Sequence, residues 1–103
     1  MIKIALFCAA GMSTSVLVTK MEKTAKKKGL GVAIAAFPES QMSKHLDGVS
    51  VVLLGPQIKF VFEKAKKICN PLNIPVAVIS SIDYGMMNGE KVLNDALKLI
   101  DNQ

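Results

Sequence analysis

Two spacings of hydrophobic positions alternate along this chain. Ile2 to Phe7 is a short run, apolar except for Lys3, and reads as a buried strand. Cys8 to Ser15 (CAAGMSTS) then turns small and polar. Val18, Met21 and Ala25 recur at i, i+3 and i+7, with Lys20, Lys23 and Lys27 facing away. This spacing predicts a helix entered near Ser15 and stopped at Gly29. Gly31 to Phe37 is a second apolar strand, ended by Pro38, and Glu39 to Leu46 is short and weakly helical, with Met42 and Leu46 four apart. Asp47-Gly48 is a turn signal. Val49 to Leu54 is a third strand, broken by Gly55-Pro56-Gln57. Ile58, Val61, Phe62, Ala65, Ile68 and Cys69 trace one helical face that ends at Asn70-Pro71. Pro75 opens a fourth strand, Val76 to Ile79, and Ser80 to Gly89 is predicted as a polar loop. Val92, Leu93, Ala96, Leu97 and Ile100 mark a last amphipathic helix.

Strand and helix thus alternate four times. The strands are apolar throughout, as expected where helices cover both faces of a sheet. Right-handed crossovers then give an α/β fold with a four-stranded, doubly wound parallel sheet. The expected order is the flavodoxin-like 2-1-3-4. Its topological switch point, and the ligand crevice, lies at the carboxyl end of the first strand. Cys8 falls there.

Length and composition narrow the function. The 103 residues suffice for one domain, residues 1–103, with a core that needs no staples. The apolar runs, among them Ile4 to Ala10 and Val49 to Leu54 with Ser50 interrupting it, all fall far short of the ~20 residues of a membrane span. The apolar start is too short for a secretion signal and fits a buried strand. Two cysteines in different settings and six methionines suggest a reducing cytoplasm without a structural disulfide. All 13 cationic residues are Lys, for a net charge of +5; there is no Arg, no Trp and one Tyr. Nucleic-acid readers depend on Arg forks and exposed aromatics, so no nucleic-acid partner is expected. The lysines form either a solvated face or a docking face for an acidic protein.

The loop after the first strand carries the chemistry. Ala9, Ala10, Gly11 and Ser13 are small, so backbone N–H groups can turn inward, and a helix N-terminus stands behind them. Such a loop cradles an anion and favours a thiolate over a thiol at Cys8. Ser13, Thr14 and Ser15 add hydroxyl donors. Together these describe a nucleophile able to become a phosphocysteine. Cys69, on an apolar helical face, reads instead as core. Two distant cysteines and one histidine make no metal site, and no cofactor is implied. His45, between Lys44 and Leu46, reads as a surface residue, and Met86-Met87 as loop packing.

Three reactions fit a thiol here. A low-molecular-weight tyrosine phosphatase places Arg six residues after its Cys, where this chain has Thr14. Without Arg, no guanidinium fork clamps the transition state, although Asp83 could imitate the distant general acid. A thiol-redox enzyme needs a resolving Cys near Ala10 or Gly11. A phosphoryl carrier needs neither. It gains from lacking an Arg clamp, which would speed hydrolysis of its phosphocysteine.

Ile4 to Ser15 (IALFCAAGMSTS), Leu53-Leu54-Gly55-Pro56-Gln57 and Ile82-Asp83-Tyr84-Gly85 resemble the IIB component of the lactose/cellobiose class of the bacterial sugar phosphotransferase system. The cellobiose/diacetylchitobiose branch is the more similar. The resemblance spans essentially the whole chain. It implies a cytoplasmic protein, peripheral to the membrane through a IIC permease, that takes a phosphoryl group from a phosphohistidine on a IIA component. Cys8 would carry the group to a disaccharide held by IIC, with the amides of Ala9, Ala10, Gly11, Met12, Ser13, Thr14 and Ser15 holding its oxygens. The resemblance alone gives no role to Gln57 or Tyr84. With Asp83, they are placed at the site rim because they follow strand ends on the crevice side.

Overall fold

The computed structural model describes residues 2–9 and 12–101, and of residues 12 and 13 the backbone alone. In chain order it comprises β1 (Ile2–Cys8), α1 (Met12–Lys27), β2 (Val32–Pro38), a 3-10 helix (Glu39–Lys44) and β3 (Val51–Leu54). A second 3-10 helix (Pro56–Val61) runs into α2 (Phe62–Cys69), followed by a 3-10 turn (Asn70–Leu72), β4 (Val76–Val78), α3 (Ser81–Gly85) and α4 (Gly89–Asp101). The four strands are parallel, in the order β2-β1-β3-β4, as the sequence pattern predicts.

β1 is apolar on both faces because each face is roofed. Ile4 and Leu6 pack with Val51 and Leu53 of β3 beneath Leu17 and Met21 of α1 and Val92, Leu93 and Ala96 of α4. Ala5 and Phe7 point the other way, with Val52 and Leu54, onto Met42, Ile58, Ala65 and Cys69. Alternate residues of one strand therefore feed two cores. Full burial of each large side chain contributes about 1.5–3 kcal/mol.

Strand ends shift by one or two residues and the start of the helix predicted over Ile58 to Cys69 is 3-10, but two differences bear on the site. α1 begins at Met12, three residues before Ser15. The buried stripe is Leu17, Met21 and Ala25, with Val18 half-buried beside it. Continued backwards by three residues, the stripe reaches Thr14, a polar residue that hides the start of the helix. The Ser80 to Gly89 segment, predicted as a loop, contains the single turn of α3. Ser80 caps it by accepting a hydrogen bond from the Asp83 amide at 3.1 Å. Five residues are too few for helical periodicity to show. Of the methionine pair that follows, Met87 adopts positive φ (51°) and packs on the core, whereas Met86 is exposed.

Gly89 fixes the crossing of α1 and α4. A Cβ at this position would lie 2.7 Å from the backbone of Lys20 and Met21. Backbone cannot swing aside as a side-chain tip can. Gly89→Ala is therefore expected to destabilise the protein by about 1–3 kcal/mol, the usual cost of overpacking. Denaturant unfolding would measure it; no loss of stability would mean that the two helices do not cross in contact here.

Candidate functional site

Cys8 ends β1 at the carboxyl edge of the sheet, in register with Pro38 of β2. On the other side the Gly55 amide donates to the Phe7 carbonyl at 2.9 Å, which carries the β1–β3 pairing to the strand ends. Cys8 is 2% exposed, and its thiol makes a long contact, 4.0 Å, to the Phe37 carbonyl. Ala9, the next residue, is exposed.

α1 starts four residues after the thiol and runs for 16 residues with no acidic side chain in its first turn. The first N–H groups of a helix lack intrahelical acceptors, and the helix end carries about half a positive charge. The amides of Met12, Ser13 and Thr14 are therefore the ones this helix offers to an anion. Ala10, Gly11 and the Ser13 hydroxyl, all expected in the cradle, lie outside the described residues.

Thr14 requires a correction. Its hydroxyl, expected as a donor to the anion, is buried: the residue is 1% exposed and its Oγ1 lies 3.0 Å from the Tyr84 hydroxyl. Only its amide remains for the loop. Helical phase is the cause, because position 14 shares the inward face with Leu17 and Met21. Tyr84, expected on the rim, is likewise buried, and it ties α3 to the first turn of α1.

The other two rim residues separate. Asp83 is committed to Lys91 of α4 at 3.1 Å, and Lys91 also binds Asp95 at 2.9 Å. These bonds, Asp95's first, raise the Lys91 pKa above its ordinary value. The structure thus ties the Asp83 carboxylate to α4. Gln57, itself exposed, instead places its carboxamide against Gly55, whose other neighbour is Cys8. A Cβ on Gly55 would lie 2.8 Å from Gln57 Oε1 and 3.7 Å from Cys8 Cβ, so the carboxamide folds over the gap that Gly55 leaves next to Cys8.

His45 is half-buried rather than fully on the surface. Its ring stacks on Phe37 at 3.8 Å and 5°, with Nε2 3.2 Å from Gln41 Oε1. The Phe37 carbonyl is the site group that residue-by-residue reading misses. Only the β1–β2 register places it against Cys8.

Cys69 is fully buried in the core beneath α2, and burial pushes its thiol above its ordinary value of 9.0. In the folded protein at mildly alkaline pH, alkylation followed by peptide mapping is expected to label Cys8 before Cys69. Cys8 sits at a sheet edge beside exposed Ala9, whereas reaching Cys69 requires the core to open. The raised Cys69 value also has a stability consequence. Below its ordinary value both folded and unfolded chains hold the proton. Above it the unfolded chain gives the proton up first, so this contribution to stability falls as pH rises past about 9. Cys69→Ala is expected to flatten that part of the alkaline loss in unfolding titrations.

A parallel doubly wound sheet, with a cysteine ending its first strand four residues before a helix N-terminus, defines an α/β protein with a thiol at the carboxyl end of the sheet. The chain matches the family model "PTS system, Lactose/Cellobiose specific IIB subunit" over residues 3–95, and it belongs to that family of sugar phosphotransferase system components. It is 40% identical over 101 residues to the oligo-beta-mannoside-specific EIIB component of Bacillus subtilis, with 98% of each chain covered. It is 43% identical over 103 residues to the cellobiose-specific EIIB component of Lactococcus lactis, with 95% of each covered. The solution structure of the cellobiose-specific IIB component from Borrelia burgdorferi superposes with a TM-score of 0.82 at 46% identity, covering 98% of this chain and 93% of that one. The lactose-specific IIB domain from Streptococcus pneumoniae shares the fold at a TM-score of 0.86 and 16% identity, covering 95% and 96%. These relationships do not favour a phosphatase or a thiol-redox enzyme. No helix among the described residues is long and apolar enough to cross a membrane.

Proposed function

We propose that residues 1–103 form one carrier domain in which Cys8 holds a phosphoryl group as a phosphocysteine. The donor is a phosphohistidine on a IIA component. The Cys8 sulfur attacks phosphorus, an S–P bond forms, the P–N bond to imidazole breaks, and the thiol proton passes to the departing imidazole nitrogen. In the second half the hydroxyl oxygen of a disaccharide, held by the membrane component IIC, attacks the same phosphorus. The S–P bond breaks, the thiolate leaves, and the hydroxyl proton passes to a base or to water. The protein works at the cytoplasmic side of the membrane through IIC.

The observation that carries this reading is the position of Cys8, four residues before a helix N-terminus free of acidic side chains. There the amides of Met12, Ser13 and Thr14 can face a phosphoryl dianion. For transfer, the thiol turns away from the Phe37 carbonyl toward the exposed Ala9 side of the loop. Backbone amides hold charge without the Arg that would complete a hydrolytic site, and the chain has no Arg. The test combines two readouts on the purified protein. Intact mass after incubation with phosphorylated IIA is expected to rise by one phosphoryl group, while aryl phosphate is not hydrolysed. Aryl phosphatase activity without phosphoryl gain would replace the carrier reading with a phosphatase.

A further inference from the structure

Phe60 is the one exposed aromatic among the described residues, 78% accessible on the 3-10 helix that leaves the carboxyl end of β3. Lys59 stands beside it, and Lys64 and Lys67 follow at i+4 and i+7 on the continuing helix, all exposed. Glu63 is the carboxylate interleaved on this segment. Among the described residues the salt bridges all belong to Lys91, so these lysines keep their charge unneutralised. The segment begins directly after Gly55, the residue packed against Cys8.

We infer that this patch is a binding surface for anionic lipid headgroups that turns the Cys8 end of the molecule toward the membrane. The inference rests on the proposed function, in which the acceptor sugar is held at the membrane. Two features favour lipid over an acidic protein. Protein interfaces are enriched in Arg and depleted in Lys, whereas this patch is all Lys in a chain without Arg. A protruding Phe flanked by long lysines also suits the headgroup boundary, where the ring enters the acyl edge and the ammonium groups stay in the wet layer. The lysines of α1 have no exposed aromatic among them. Attraction of this kind is weak, additive and screened by salt.

The test is co-sedimentation of the full chain with vesicles of phosphatidylcholine, with and without about one third phosphatidylglycerol. Binding is expected on the anionic vesicles only, and it is lost in high salt. Each surface lysine contributes about fivefold in partitioning, so Lys59→Gln/Lys64→Gln/Lys67→Gln should lose about a hundredfold. Phe60→Ser should lose several-fold. Removing equal charge from α1, by Lys20→Gln/Lys23→Gln/Lys27→Gln, should cost less than tenfold. Absence of binding by the parent overturns the proposal, and so does an equal loss in both triple variants. Binding to soluble polyglutamate as tight as to vesicles would assign the patch to an acidic protein. Phosphoryl uptake from IIA in solution is read on the same proteins. It should be unchanged in the α2-side triple variant, and a loss there would make the patch a donor-docking surface. Failure of the parent itself to take up phosphoryl would instead refute the carrier reading, whatever the vesicles show.

Discussion

Thr14→Arg is expected to cost about 3–5 kcal/mol of stability rather than to create a phosphatase. Position 14 is where the phosphatase pattern has its Arg, and an Arg aimed into the loop would clamp phosphoryl oxygens. The structure turns this position the other way. Thr14 is 1% exposed, shares the inward face of α1 with Leu17 and Met21, and bonds its hydroxyl to Tyr84. An Arg there buries a guanidinium, leaves the Tyr84 hydroxyl without its partner, and finds Asp83, next to Tyr84 in the chain, already held by Lys91. Uncompensated buried charge carries a penalty of that size, a large share of the about 5–15 kcal/mol that holds a domain folded. Denaturant unfolding checks it. A variant as stable as the parent, with aryl phosphatase activity, would mean that residue 14 faces the loop.

Cys8→Ser is expected to abolish phosphoryl uptake while leaving the fold intact. Serine fills nearly the same volume at the strand end, so unfolding should shift by less than about 1 kcal/mol. Its hydroxyl is a weak nucleophile unless a neighbouring base takes its proton. The contacts of Cys8 supply a carbonyl, Phe37, and Asp83 is held by Lys91. Loss of uptake with unchanged unfolding separates chemistry from folding. Retained uptake in the serine variant would move the phosphoryl group to another residue.

The architecture was legible because both sheet faces are covered. Ile4 and Leu6 feed one core and Ala5 and Phe7 the other, so the strands read as continuous apolar runs. Their alternation with helices leaves few topologies open. Cys8 was legible because small residues after a strand end have a chemical reading of their own. Tertiary pairings were not. The Thr14–Tyr84 bond joins residues 70 positions apart, and Thr14 reads as a loop residue until the helix is seen to begin at Met12, which puts it in phase with Leu17 and Met21. Asp83 reads as a free carboxylate until Lys91, eight residues on, is seen to bind it. The Phe37 carbonyl is a backbone group without a side-chain signature, placed by strand register alone. Gln57 was placed only roughly, through its strand end; its fold over Gly55 depends on a missing Cβ.

A carrier of this design keeps its phosphoryl group on Cys8 alone. Peptide mapping by tandem mass spectrometry, on protein loaded from phosphorylated IIA and kept near neutral pH, tests it most directly. The chain holds one histidine, His45, and a second cysteine, Cys69, as the competing acceptors. The expected result is a single phosphoryl group on the peptide that contains Cys8, none on those of His45 or Cys69, and none anywhere in Cys8→Ser. A phosphoryl group on His45, or one that persists in Cys8→Ser, would contradict it.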